Sequence, residues 1–221
     1  MNSEIDKILS SLKKRCAKII FKQEYEYWEK SDDKILSTSN YLNDEDWIVD
    51  SEGRDLMFQI VNFEGLSLDN EIKKLQYFYN SDSSNVEICH DDVEYVPAEE
   101  MSNINGVLFF EESYNLPDFE TLKIVYEEEY TKLIALFQKD AIYEDDFSDT
   151  YAEYTKKFLG HKPFKSFIGG NLYQHFWLNL DKEFYRQYEF IMQIETNFYT
   201  IVHIFRNKES KQDFISIMGR S

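Results

Sequence analysis

The sequence predicts an α+β fold: helices and strands occur in separate blocks and do not alternate. Two observations carry this. Short β-branched or aromatic runs, bounded by Asn, Asp and Gly, cluster at 56–112 and again at 167–218. Apolar residues at helical spacing fill the N-terminus and the stretch from about 120 to 159. The order is helix, strands, helices, strands, which is unlike a βαβ chain and fits a mainly antiparallel sheet.

Each element has a local reason. Ser3-Glu4-Ile5-Asp6 reads as a helix start, with Ser3 as N-cap. Ile5, Ile8, Leu9, Leu12, Cys16, Ile19 and Ile20 then recur at helical spacing, so the expected N-terminal helix runs on through Ile20 and fades near Trp28. Residues 29–55 are polar and read as irregular, with an extended piece at Trp47-Ile48-Val49. Strands are expected at Leu56–Val61, Leu75–Tyr79, 85–90 and 106–112. Leu122, Val125, Leu133, Ile134 and Phe137 predict helix from about 120. A second helix follows and is stopped by Gly160, with Pro163 just beyond. Phe167-Ile168, Phe190–Ile194, Thr200–Phe205 and Phe214–Met218 complete the strands. No internal linker is rich in Gly, Pro or Ser, so residues 1–221 are expected to form one domain.

Composition narrows the function classes. With 7 Gly in 221 residues, Gly-rich phosphate-cradling loops are disfavoured. No apolar run is long enough to span a membrane. The start, "MNSEIDKILSSLKKRC", lacks the plan of a signal peptide, and two cysteines make no disulfide scaffold, so a cytoplasmic, reduced protein is expected. The net charge is −18, and its distribution is uneven. Residues 85–149 carry 18 acids against 3 bases, while residues 150–221 carry 7 acids against 10 bases. Such a middle segment repels nucleic acid and attracts basic partners, or serves only as a solvated face.

The search for catalysis is negative. "ICHDDVEY" (88–95) gathers Cys89, His90, Asp91 and Asp92, but neighbours in a strand face opposite ways and cannot converge on one ion. Cys16 lies on an apolar stripe, which suits a core thiol. The chain has no Walker loop, G-x-G-x-x-G, H-E-x-x-H or G-x-S-x-G motif. No catalytic, cofactor-binding or metal-ligating residue is assigned, and an enzyme would need a dispersed site.

The chain repeats itself. Leu56-Met57-Phe58-Gln59-Ile60 aligns with Phe190-Ile191-Met192-Gln193-Ile194, and an aromatic strand follows each. This predicts an internal duplication with Gln59 and Gln193 in comparable strand positions. A buried carboxamide can tie down backbone groups where a sheet bends, or it can form the polar floor of a ligand cleft.

The phrase "LMFQIVNFEGLSL…KKLQYFYNSD", the "KSFIGG" turn with Gly169 and Gly170, the strand "YEFIMQIET" and the closing "IVHIFRNKESKQDFISIMGR" follow one another in a familiar order. Over about 55–80 and 165–219 the chain resembles the YwqG-like family of bacterial α+β proteins. It departs in having Asn171-Leu172-Tyr173-Gln174 after the Gly-Gly turn, and in the short Glu195-Thr196-Asn197-Phe198 connection. The resemblance implies an α+β fold and a setting beside polymorphic toxins, without implying a chemistry.

Resemblance and charge together predict an immunity protein that masks a toxin with a basic, nuclease-like surface and touches neither nucleic acid nor membrane. The expected contact zone is Glu94, Tyr95, Glu99, Glu100, Phe110, Glu111, Glu112 and Tyr114, with Glu127, Glu128 and Glu129. The alternatives are a small-ligand or regulatory module with a cleft between the duplicated halves, an enzyme, and an acidic mimic of DNA.

Overall fold

The computed structural model describes residues 3–22, 35–38, 50–61, 74–80, 82–89, 104–173, 178–195 and 200–220. The class is α+β, as the sequence predicts. Contacts group the chain into two compact units. The first comprises Met1–Ala17, Glu112–Gln212 and Ile217–Ser221; the second comprises Lys18–Glu111 and Asp213–Ser216. Among the described residues, no helix is long and apolar enough to cross a membrane.

The elements are α1 (Ser3–Leu12), β1 (Lys14–Lys22), β2 (Ile35–Thr38), β3 (Asp55–Val61), β4 (Lys74–Tyr79), β5 (Ser84–Cys89), β6 (Ile104–Asn115), α2 (Phe119–Val125), α3 (Glu127–Lys139), α4 (Phe147–Leu159), β7 (Phe167–Gly169), α5 (Lys182–Gln187), β8 (Tyr188–Glu195), β9 (Thr200–Asn207) and β10 (Phe214–Arg220). A single 3₁₀ turn, Glu144–Asp146, leads into α4.

In the second unit the strand order is β6-β2-β3-β4-β5, with every neighbouring pair antiparallel. Its core includes Phe58, Leu75, Tyr77 and Phe78, and the Phe58 and Tyr77 rings stack with centroids 5.1 Å apart. In the first unit the order is β9-β8-β7-β1, with β7, β8 and β9 antiparallel. Beside these strands, α1 to α4 enclose a helical core of Ile5, Leu9, Leu12, Leu122, Leu133, Phe137, Phe147 and Tyr151. The helical stripes read from the sequence supply Ile5, Leu9, Leu12, Leu122, Leu133 and Phe137, and the burial of the whole set is the main driving force for docking the helices.

One element differs from expectation. The N-terminal helix stops at Leu12, and the chain continues as strand β1 from Lys14. The apolar spacing from Ile5 to Ile20 suits both structures. A distant side chain decides between them: Asn171 Nδ2 donates to the Leu12 carbonyl at 2.8 Å and satisfies a group that the next helical turn would have used. The β-branched Ile19 and Ile20 suit the strand that follows. Two short elements, β2 within 29–55 and α5, also go beyond the expected set. Trp47, Ile48 and Val49 lie outside the described residues.

The repeated phrase forms the same structure twice. In β3–β4, Leu56 faces Phe78, Met57 is the extra residue of a bulge, Phe58 faces Tyr77 and Gln59 faces Gln76. In β8–β9, Phe190 faces Phe205, Ile191 is the extra residue, Met192 faces Ile204 and Gln193 faces His203. Both bulges lie two residues before the glutamine. A bulge is an inserted residue that related chains retain, so its recurrence at one alignment position is what an internal duplication requires.

Candidate functional site

The first unit is built around two asparagines and the Gly-Gly turn. Gly169 and Gly170 have φ of +69° and +77°, a left-handed conformation that other residues adopt only at a cost. A Cβ at Gly170 would lie 2.4 Å from Asn115 Oδ1 and 2.9 Å from Cys16 Cβ. The bare backbone lets Asn171 reach Asn115: Asn171 N–H donates to Asn115 Oδ1, and Asn115 Nδ2 donates to the Asn171 carbonyl, both at 2.8 Å. The Tyr126 hydroxyl donates to Asn171 Oδ1 at 2.6 Å. Thus Asn171 joins the end of α1, the end of β6 and the α2–α3 junction. Cys16 beneath it is buried, and burial pushes its thiol up to about 12, so it stays protonated and unreactive at neutral pH.

Gln193 is fully buried in β8. Its Nε2 donates to the Lys165 carbonyl at 3.0 Å, and its Oε1 accepts from Tyr173 N–H at 3.3 Å. It therefore holds both ends of the 165–173 loop, the sheet-locking role. Gln59 lies in β3 opposite Gln76 and Leu36.

That loop helps to wall a cavity of about 300 Å³ within the first unit. The start of α2, one face of α4 and residues 161–173 line it. The aromatic rings of Phe119, Tyr151, His161, Phe164, Phe167 and Tyr173 are among its walls. Among the described residues the carboxylates of Asp118 and Glu120 belong to the lining, and no Lys or Arg does. Asp118 is the N-cap of α2, accepting from Thr121 N–H and from the Thr121 hydroxyl, each at 2.9 Å. Burial raises the pKa of the Tyr151, Tyr173 and Tyr185 phenols, and the Asp118 charge raises each further. The Tyr151 hydroxyl donates to the Pro117 carbonyl at 2.9 Å. His161 stacks on Phe164 with centroids 4.4 Å apart, and its Nδ1 lies 2.8 Å from the Lys162 carbonyl. A carbonyl only accepts, so Nδ1 carries the proton.

The expected contact residues divide into three groups. Glu94, Tyr95, Glu99 and Glu100 lie outside the described residues, as do His90, Asp91 and Asp92. Phe110 and Glu111 belong to the second unit; Glu112, Tyr114, Glu127, Glu128 and Glu129 belong to the first. Most of the described acids among them are engaged locally. Glu111 pairs with Lys18 at 3.4 Å, Glu112 with Arg15 at 2.7 Å, Glu127 with Lys182 at 2.6 Å and Glu128 with Lys132 at 2.6 Å. The Lys132 hydrogen bond and charge hold the Glu128 carboxyl below its ordinary range. Glu129 and Phe110 are half-buried. The Tyr114 ring is 42% exposed, with the Lys13 ammonium 4.1 Å from its centroid.

The α3–α4 connection contrasts with these. Asp140, Glu144, Asp145, Asp146 and Asp149 are all exposed, and no ion pair among the described residues engages them. Among them stands Tyr143, 79% exposed. Sequence reasoning placed this stretch in the acidic segment but missed the tyrosine. The "YEDD" run itself was a usable signal, because an aromatic flanked by carboxylates between two helices has no core to enter. Neither the family models nor the curated proteins include a match to the chain.

Proposed function

We propose that this protein is a cytoplasmic immunity protein of the YwqG-like kind, which binds a cognate bacterial toxin domain through its acidic middle segment and blocks it. The observation that supports the reading is Tyr143, standing exposed amid five carboxylates that no basic side chain of the described residues neutralises. Such a surface complements a basic one. Unpaired charge steers encounter, whereas charge already paired within the chain contributes little field. An aromatic at the centre of the patch supplies the desolvated anchor that charge alone lacks.

This reading moves the steering residues from Glu111 and Glu112 to Glu144, Asp145 and Asp146. The test is growth rescue. Candidate toxin domains, those encoded by neighbouring genes first, are each expressed in a heterologous bacterium, with and without this chain. Rescue is expected, and reversal of Glu144, Asp145 and Asp146 to Lys should slow association about tenfold or more at low salt and flatten its salt dependence. Reversal of Glu111 and Glu112 should do less. Failure to rescue, or an association rate insensitive to salt, would sink the reading.

A further inference from the structure

The cavity of the first unit has a chemistry distinct from the acidic α3–α4 surface, and we infer that it is a binding site for a small aromatic ring system, a single or fused ring of the size of indole. The inference does not depend on the toxin-binding reading.

The walls carry the inference. Two ring pairs are already assembled in them: Phe119 of α2 with Tyr151 of α4, centroids 5.9 Å apart, and His161 with Phe164 of the following loop, centroids 4.4 Å apart. A guest ring among them meets ring faces and edges, which attract it beyond the area it buries. The volume, about 300 Å³, lies at the small end of ligand sites and suits one or two rings. Leu116, Pro117, Tyr151, Thr155 and Phe167 are buried and form a floor, whereas Ser148 and Ala152 are exposed and belong to a rim through which a ligand enters. The polar side chains near the floor are engaged within the protein. Asn115 bonds to Asn171 through both its amide atoms, the Tyr151 hydroxyl donates to the Pro117 carbonyl, and the Thr155 hydroxyl donates to the Ala152 carbonyl at 2.9 Å. An apolar ring can therefore settle on this floor without breaking a hydrogen bond. Tyr173, a further wall, has its N–H held by Gln193, so that part of the site is set before a ligand arrives.

The ring could belong to a free small molecule or to an aromatic side chain of a polypeptide, and one titration series separates them. Amide shifts of the ¹⁵N-labelled protein are followed with indole, with the capped tripeptide Gly-Trp-Gly, and with phenol against cyclohexanol, a pair that differs in the ring and shares the hydroxyl. Saturable shifts at Thr121, Tyr151 and Tyr173 are expected with indole, and phenol should bind about threefold or more tightly than cyclohexanol. Phe164→Leu keeps the wall apolar and removes one ring from a half-exposed position, so the melting temperature should hold while the advantage of phenol shrinks. Ala152→Phe sets a ring of the protein's own on the rim and should abolish the shifts with indole, again with the melting temperature held. Tighter binding of the tripeptide than of indole assigns the ring to a polypeptide; the reverse assigns it to a small molecule. Equal binding of phenol and cyclohexanol, undiminished binding of indole by Ala152→Phe, or no saturable shift with indole or the tripeptide at millimolar concentration overturns the proposal.

Discussion

The hairpins β3–β4 and β8–β9 share a backbone and differ in what they hold. Each has one bulge two residues before its glutamine, and each pairs that glutamine with a polar residue, Gln76 in one and His203 in the other. After the bulge the first hairpin places a stacked aromatic pair, Phe58 and Tyr77, where the second has Met192 and Ile204. The second hairpin joins Phe190 and Phe205 edge to face across its own strands before the bulge, with centroids 5.9 Å apart, and adds rings from elsewhere: Phe205 meets Phe184 of α5 at 4.9 Å, and Phe190 meets Phe167 of β7 at 5.6 Å. Both hairpins pair rings across their own strands, the first after its bulge and the second before it, and the second extends its cluster to added elements. The difference shows that a duplicated backbone does not carry a duplicated site. The cavity arises where the second hairpin's glutamine fastens a loop and helices pack beside it.

The largest expected effect comes from the turn that fits that loop. Gly170→Ala would force a Cβ into a left-handed residue and against Asn115 and Cys16. Left-handed backbone costs about 1–2 kcal/mol and overpacking about 1–3 kcal/mol, so a loss of about 3 kcal/mol is expected from urea unfolding. Gly53, in the second unit, shares the backbone conformation, with φ of +74°, but nothing lies within 4 Å of its Cβ position. Gly53→Ala should cost only about 1 kcal/mol. Equal costs at the two glycines would show that the Asn115–Asn171 contact does not restrain the turn.

A smaller loss is expected at the glutamine. Gln193→Leu leaves the Lys165 carbonyl and Tyr173 N–H without their partner, a change of about 1–3 kcal/mol. It should also loosen the loop and weaken any occupancy of the cavity, visible as faster amide exchange across 165–173. Gln59→Leu, made in parallel, asks whether the duplicated position bears the same load. If Gln193→Leu leaves both exchange and stability unchanged, the sheet-locking role is wrong.

These positions mark what was legible in the sequence. The two glutamine strands, their aromatic partners, the helical middle and the Gly160 stop follow from local pattern. Gly160 does end α4 in a left-handed conformation, with its N–H donating to the Lys156 carbonyl. Periodicity could not end α1 at Leu12, because the group that donates to the Leu12 carbonyl lies at Asn171, far along the chain. The cavity was illegible for the same reason: Asp118, Tyr151 and Tyr173 are separated in sequence, and each has an ordinary local role. Charge counting found the acidic segment, but it could not tell Glu112, engaged by Arg15, from Asp145, which has no ion pair among the described residues.

The smallest effect contrasts a charged turn with a neutral one and is recognised by its disappearance in acid. In the second unit Asp50 Oδ1 accepts from Glu52 N–H and Arg54 N–H, both at 2.9 Å, and Oδ2 accepts from Arg54 Nε at 2.6 Å. In the first unit Asn207 Oδ1 accepts from Glu209 N–H at 2.8 Å and Ser210 N–H at 3.1 Å, the same turn device without a charge. Burial opposes ionisation of Asp50, but the hydrogen bonds from Arg54 and Glu52 and the Arg54 charge outweigh it and hold the carboxyl below its ordinary range. A carboxyl whose folded pKa is depressed stabilises the fold fully above its unfolded pKa, and that contribution drains away as pH falls through the folded one. Asp50→Asn keeps an acceptor for the turn and deletes the ion pair. The variant should therefore be less stable than the parent at neutral pH, and the gap should close as pH drops below the ordinary aspartate range. Asn207→Ser should show a gap of constant size over the same titration, since no proton is exchanged there. Melting temperatures of the three proteins from neutral to acid pH decide it: a gap for Asp50→Asn that stays constant would mean that the Arg54 contact contributes no net charge stabilisation to the turn.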